Sequence, residues 1–188
     1  MENQGREVQT MEKGIILYRS KYGATRKYAQ WLSEITGFSC CETGKTPLKQ
    51  VLEYHTVILC GGIYASGIAG LSFLKKNWGV LKEKRLAVFC VGASPYEEAA
   101  FQQIREHNFQ EQLAAVPCFY GRGAWDESAM TFPDRTLCRL LQKSVAKKAP
   151  ADYEPWEAAL MCAEGKKCDW TEKRYLEPLT TYLQKTGE

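Results

Sequence analysis

Three short segments of the chain hold residue types that could do chemistry. The first, Arg19-Ser20-Lys21-Tyr22-Gly23-Ala24-Thr25-Arg26, leaves an apolar run and opens a stretch with helical spacing. Short hydroxyl side chains around a glycine at a helix start suit a phosphate, because the free first-turn amides and the helix dipole both favour an anion. The same residues fit a serine N-cap with a tight turn, and the two readings stand side by side. The second segment is Cys60-Gly61-Gly62-Ile63-Tyr64-Ala65-Ser66-Gly67, and the third is Val91-Gly92-Ala93-Ser94-Pro95-Tyr96. Their glycines permit positive φ and close approach of backbone to a flat ligand, while Tyr64 and Tyr96 could cover an aromatic ring. Glycine-rich turns are common punctuation in α/β chains, so the weight lies in three of them following three successive apolar runs.

Other chemistries are poorly served. Gly44-Lys45-Thr46 has the ending of a phosphate-binding P-loop, but its required upstream glycine position holds Ser39 and Pro47 follows at once. The Rossmann glycine pattern is absent: Gly61-Gly62 lacks the spacing, and Gly67 to Gly70 lacks the first glycine pair and a preceding strand. Gly92-Ala93-Ser94-Pro95 begins like a nucleophile elbow, yet Tyr96 replaces the closing glycine and only His55 and His107 could serve as bases. Of the eight cysteines, Cys60, Cys90 and Cys118 lie in or beside apolar runs and read as small buried hydrophobes. Cys40, Cys41, Cys138, Cys162 and Cys168 form no CxxC pair, so no zinc site is expected; Cys162 and Cys168 are the pair left to bridge or oxidise.

The three segments need strands to end on and helices to lead into. Apolar, β-rich runs recur at 14–18, 38–41, 56–60, 86–91 and 115–120, several of them continuous, as strands buried on both faces must be. Between them lie stretches with helical spacing at 24–36, 69–82, 97–108 and 134–148, the last through Leu137, Leu140, Leu141 and Val145. A short helix is expected at 45–53 and a final one at 171–186. Strand and helix in alternation predict an α/β three-layer αβα sandwich around a five-stranded parallel sheet. In such a sheet ligands bind outside the carboxyl ends of the strands, where strand order reverses. Residues 149–170, with Pro150, Pro155 and Gly165, read as an irregular loop bearing a short helical turn.

Composition sets the frame. The 188 residues, 45% hydrophobic and 25% charged, suffice for one sizeable core and not for two full domains. Residues 1–13 read as a flexible lead, 14–188 as one domain with a C-terminal extension from about 149. No apolar stretch is long enough to cross a bilayer, residues 1–13 lack the core of a secretory signal, and the cytoplasm is the default compartment. A net charge of +3 is too mild to argue for nucleic acid. Arg135, Arg139, Lys143 and Lys147 recur every four residues on one helix, a pattern that fits either a solvated face or contact with an anionic membrane.

On these segments the chain resembles the flavodoxin-like family, whose phosphate loop reads Ser/Thr-x-Thr-Gly-x-Thr after the first strand. Ser20, Gly23 and Thr25 match it; Tyr22 replaces the middle threonine and removes one hydroxyl from the expected site. The fuller likeness, over roughly 14–148, is to the flavodoxin-domain group that includes the menaquinone-dependent protoporphyrinogen dehydrogenases. It rests on the segments ILYRSKYGATRKYAQWL, VILCGGIYASGIAG and FYGRGAWDESAMTFPDRTLCRLLQK. The resemblance implies FMN at the sheet edge. Ser20, Lys21, Tyr22, Gly23, Ala24 and Thr25 would hold its phosphate, and Gly61, Gly62, Ile63, Tyr64 and Ala65 would lie against the isoalloxazine. Gly92, Ala93, Ser94 and Tyr96 would line its other side, with Arg122 and Trp125 shaping a substrate pocket beside it. A peptide at Gly61-Gly62 could reorient with the redox state of the ring. The cofactor would carry the chemistry, so no catalytic side chain is required.

Three functions follow in order of preference. The first is an FMN oxidoreductase passing electrons to or from a quinone-like or porphyrinogen-like acceptor. The second is an electron carrier for protein partners, disfavoured because such carriers in this family are typically acidic and this chain is slightly basic. The third is a flavin-free binding module, favoured by Tyr22. The partners implied are a small-molecule or protein redox partner and, through the basic helix, a peripheral membrane contact.

Overall fold

Side chains along each apolar run point alternately to opposite faces, and this alternation builds two cores rather than one. The computed structural model describes residues 13–185, so the expected N-terminal lead lies, but for Lys13, outside the described residues. In chain order the elements are β1 (Gly14–Arg19), α1 (Ala24–Thr36), β2 (Ser39–Glu42), α2 (Leu48–Val51), β3 (Thr56–Tyr64) and β4 (Gly67–Ile68). There follow α3 (Leu71–Lys76), α4 (Trp78–Leu81), β5 (Arg85–Gly92), α5 (Glu98–Asn108), β6 (Cys118–Arg122) and β7 (Ala124–Asp126). The chain continues through α6 (Phe132–Val145), α7 (Pro155–Cys162), β8 (Lys167–Asp169) and α8 (Glu177–Lys185).

The five expected strands pair in parallel in the order β2-β1-β3-β5-β6, and the two-residue β4 adds an antiparallel sixth on β3. Register sets Ile15 beside Val57, Val57 beside Leu86, and Val88 beside Cys118. On one face Ile15, Leu17, Val57, Leu59 and Val88 pack with Leu71 and Leu74 of α3, Leu81 of α4 and Phe101 of α5. On the other, Ile16, Ile58, Cys60 and Phe89 pack with Tyr28 and Leu32 of α1, with Leu176 just before α8 and with Leu179 within it. Tyr28, Leu32, Phe89 and Leu179 are fully shielded from solvent; burying side chains of this size contributes about 1.5–3 kcal/mol each. The architecture is the three-layer sandwich that the alternation of elements predicts. Among the described residues no helix is long and apolar enough to cross a membrane.

Four details depart from the sequence reading. The helix expected over 69–82 is two, broken at Asn77, whose φ of −108° leaves the helical region and whose side chain donates to the Phe73 carbonyl. The tract 149–170 holds α7, started by Pro155 and a Glu154/Glu157 capping box, and β8, which pairs antiparallel with β7. Residues 171–186 give a 3₁₀ turn at Lys173–Leu176 and then α8. The fourth concerns α6: Leu137, Leu140 and Leu141 face outward, and only Val145 of the expected apolar face is buried, together with Gln142. Contacts at its first turns set this rotation. Asp134 is held by Lys21 and Tyr22, and Arg135 donates to the carbonyls of Glu127, Ser128 and Met130. All eight cysteines are free, Cys162 and Cys168 included, with Cys60, Cys90 and Cys118 buried.

Candidate functional site

Strand order reverses between β1 and β3, and the parallel register carries the ends of β1, β3, β5 and β6 to one edge: Arg19 lies beside Gly61, Gly62 beside Val91, and Gly92 beside Arg122. The three segments singled out in the sequence therefore meet at one carboxyl edge, the place where open parallel sheets bind their ligands.

The first segment turns into α1 through Gly23, whose φ of 98° is open to glycine and strained for other residues. Ser20 Oγ accepts the Gly23 amide at 3.1 Å and closes the turn, but the N-cap of α1 is Gly23 and no side chain caps the helix, so Ser20 is not the N-cap that the alternative reading expected. The anion reading keeps its donors. Among the described residues the first-turn amides of Ala24, Thr25 and Arg26 have no acceptor. Thr25 is only 2% exposed and its hydroxyl has no hydrogen bond there either. A hydroxyl left unpaired on a nearly buried residue, beside free amides at a helix start, is a donor set suited to a phosphate. Tyr22 does not point into that set; its hydroxyl binds Asp134 and also accepts the Thr131 amide at 3.4 Å.

The second segment differs from its expected form. Gly61 and Gly62 lie inside β3, and the turn falls on Ala65 and Ser66, both left-handed at φ 46° and 67°. Gly61 is required by contact, since a Cβ there would stand 2.4 Å from the Ala69 carbonyl oxygen. The strained turn is held by Asn108 of α5: its Nδ2 donates to the Ser66 carbonyl at 2.7 Å, and its Oδ1 accepts the Ile68 amide at 3.0 Å. Tyr64 folds back over Gly62, where a Cβ would come within 2.8 Å of the ring. Its hydroxyl accepts the Lys21 amide at 3.1 Å, so a phenol oxygen satisfies a donor of the first segment. Tyr64, Tyr22, Lys21 and Asp134 thus form one knot across the mouth: the two rings meet edge to face at 6.4 Å, and Lys21 Nζ reaches both rings and the Asp134 carboxylate. Hydrogen bonding from Lys21, then from Tyr22, holds the Asp134 carboxyl below its usual range, and the same contact raises Lys21. Burial pushes the Tyr64 phenol up.

The third segment is fastened to β6 and the β7–β8 hairpin. Gly92 accepts the Gly123 amide at 2.7 Å, Arg122 Nε donates to the Ala93 carbonyl, and Tyr120 donates to that of Ser94 at 2.6 Å. Tyr96 packs with Phe101 and Tyr120, toward a cavity of about 430 Å³ on the outer side of β6, rather than with Tyr64. A larger cavity, about 690 Å³, lies around Gly14, Phe38 and Tyr54; neither includes a residue of the first two segments. The Arg122 guanidinium lies 4.1 Å from the Trp170 ring, and Trp125 sits in β7 with its indole N–H buried and without an acceptor among the described residues. Lys27 pairs with Asp169 at 2.8 Å and ties the hairpin to α1. No group of three or more potential metal ligands occurs among the described residues.

The structure thus gathers Ser20 to Thr25, Gly61 to Ala65 and Gly92 to Ser94 at one edge, and adds two residues that sequence reasoning missed, Asp134 and Asn108. FMN tests this edge in two parts. The phosphate end fits, with the unpaired Thr25 hydroxyl and three free amides among the described residues. The ring's place against Gly62 is covered by Tyr64, which is 37% exposed and has solvent to turn into.

A family model described as Flavodoxin domain matches residues 15–152. No curated protein matches the chain. Among solved structures, the chain is 17% identical to a Trp repressor binding protein from Bacillus subtilis, covering 59% of this chain and 85% of that one with a TM-score of 0.44. For a flavodoxin, WrbA-like protein from Agrobacterium tumefaciens the values are 16%, 69%, 91% and 0.40. For a Fusobacterium nucleatum flavodoxin mutant bound to flavin mononucleotide they are 12%, 63%, 72% and 0.39.

Proposed function

Because this chain belongs to the flavodoxin domain family, we propose that it binds FMN at the edge formed by the three segments and works as a flavin oxidoreductase. The acceptor in this reading is quinone-like or porphyrinogen-like. The observation that carries it is Thr25: a residue 2% exposed at the start of α1, whose hydroxyl has no partner among the described residues and stands beside the free amides of the first turn. Bound FMN supplies the capacity to take up and release electrons singly or in pairs. The chain's own residues bind and orient. Thr25 and the amides of Ala24 to Arg26 would take the phosphate, with the α1 dipole adding to the attraction. Lys21 would offer a charge to the same group once released from Asp134. Gly61 and Gly62 would let the ring lie against bare backbone, and Tyr64, rotated out of its present place, would cover it from solvent.

The slight positive charge of the chain favours a small acceptor over the docking of a dedicated carrier. A second reading, a flavin-free module, has its own support in the knot of Tyr64, Tyr22, Lys21 and Asp134 across the mouth. The visible spectrum of the purified protein separates them. A flavin absorption band, or its appearance with quenched fluorescence on FMN titration, supports the proposal; a preparation that stays colourless with FMN sinks it. The prediction for Thr25→Ala is an intact fold with FMN affinity reduced roughly 10- to 100-fold, the worth of a charge-assisted hydrogen bond. Unchanged affinity in that variant would move the phosphate elsewhere.

A further inference from the structure

The outward face of α6 is apolar where a helix packed on a core should be polar. Phe132, Leu137, Leu140 and Leu141 are 81%, 52%, 59% and 38% exposed, while Gln142 is turned inside. Helical spacing sets Pro133, Leu137, Leu140 and Ser144 in one outward row, with Arg139, Lys143 and Lys147 in the row alongside. Scattered apolar residues on a surface need no explanation, but Leu137, Leu140 and Leu141, three and four residues apart, form a patch of the kind that marks an interaction site, with Phe132 exposed at the start of the helix. The patch is held in place from several sides. Asp134 and Arg135 fix the first turns, Arg139 pairs with Glu127 at 2.6 Å, and Lys148 pairs with Glu157 of α7 at 2.6 Å.

We infer that this face of α6 docks on an anionic lipid bilayer. The leucines and Phe132 enter the boundary between headgroups and acyl chains, and Lys143 and Lys147 meet the lipid phosphates. Charge selects this occupant. Neither lysine has an ion pair among the described residues, and Asp134, the one acidic residue of the helix, is turned to Lys21 and Tyr22. A second copy packed row against row would bring these lysines together, and Glu127, the carboxylate beside the row, is already paired with Arg139. A bilayer with anionic headgroups supplies both the apolar and the negative partner. The inference stands apart from the flavin reading, since no part of it uses the cofactor.

Co-sedimentation of the full chain with phosphatidylcholine vesicles, with and without phosphatidylglycerol, tests it. The protein is expected to partition onto the phosphatidylglycerol-containing vesicles and to be released by salt. Lys143→Gln combined with Lys147→Gln lowers the partition coefficient roughly 25-fold, at about a fivefold loss per lysine. Leu137→Ser combined with Leu140→Ser lowers it by roughly tenfold or more. Circular dichroism of both double variants is expected to match that of the parent, because the altered side chains are exposed. Absence of partitioning, or full binding by the lysine variant, overturns the inference. So does a dimer that forms without vesicles and is lost in the leucine variant, which would give the face to a second copy.

Discussion

Tyr64 is the residue on which access to the site turns. Its hydroxyl holds the Lys21 amide at 3.1 Å and its ring lies on Gly62. Removing the hydroxyl while keeping the ring leaves the same surface but takes about 1 kcal/mol from the folded-back position. Tyr64→Phe is therefore expected to bind FMN about fivefold more tightly than the parent, read by quenching of flavin fluorescence; equal or weaker binding would show that Tyr64 does not compete for the site. The residues around Tyr64 were legible in the sequence as types in a loop, because hydroxyls, glycines and a helix start carry local signals. The partners were not. Asp134 is 112 positions from Tyr22, and Asn108 is 42 from Ser66; nothing in local pattern ties residues so far apart. The site of the turn was also hidden: Gly61-Gly62 has the look of the flexible point, yet the positive φ angles fall on Ala65 and Ser66.

Among the elements, the five parallel strands and α1 were read correctly, the pattern over 69–82 broke into two helices at Asn77, and those built from distant pairing were missed. α1 runs over 24–36 as its spacing predicts, with glycines at both caps. The β7–β8 hairpin escaped notice because each strand has three residues and the two are joined across some forty positions, so neither has a period to read. α6 was placed well but rotated wrongly, since its orientation comes from Asp134 and Arg135 rather than from its leucines. The hairpin also carries a pH prediction. Ser128 and Lys167 hold the Asp126 carboxyl down at about 2. For Asp169, burial acts upward but is outweighed by hydrogen bonds from Lys27 and Thr171, which again leave it at about 2. Both values are lower folded than unfolded, so the unfolded chain binds more protons and stability rises with pH across that window. The contribution is complete above about pH 4 and is lost as pH falls toward 2. Hydrogen exchange at residues 124–126 and 167–169 should accelerate in that window before exchange in β3 and β5 does; simultaneous loss would contradict the assignment.

At the scale of the whole molecule, the stretch beyond the family match is structural. Leu176 and Leu179 are buried against the core formed with Tyr28 and Phe89, and Arg85 donates to the carbonyls of Tyr182 and Leu183. The sequence marked 171–186 as helical but left its role open, because an amphipathic pattern does not say which face of a sheet it will cover. Leu179→Ala is expected to cost about 2–5 kcal/mol, as other buried leucine truncations do, measured by denaturant unfolding; a loss near zero would mean that α8 is dispensable. The sheet, its order and its two layers follow from strand–helix alternation; the closing of the layer by α8 does not. One carboxamide joins this larger body to the site. Asn108 ends α5 on the sheet's flank and grips a backbone bend whose two L-residues would otherwise relax. The floor of the mouth thus leans on a side chain outside all three segments, and shortening that one carboxamide to a methyl would leave the bend without its brace.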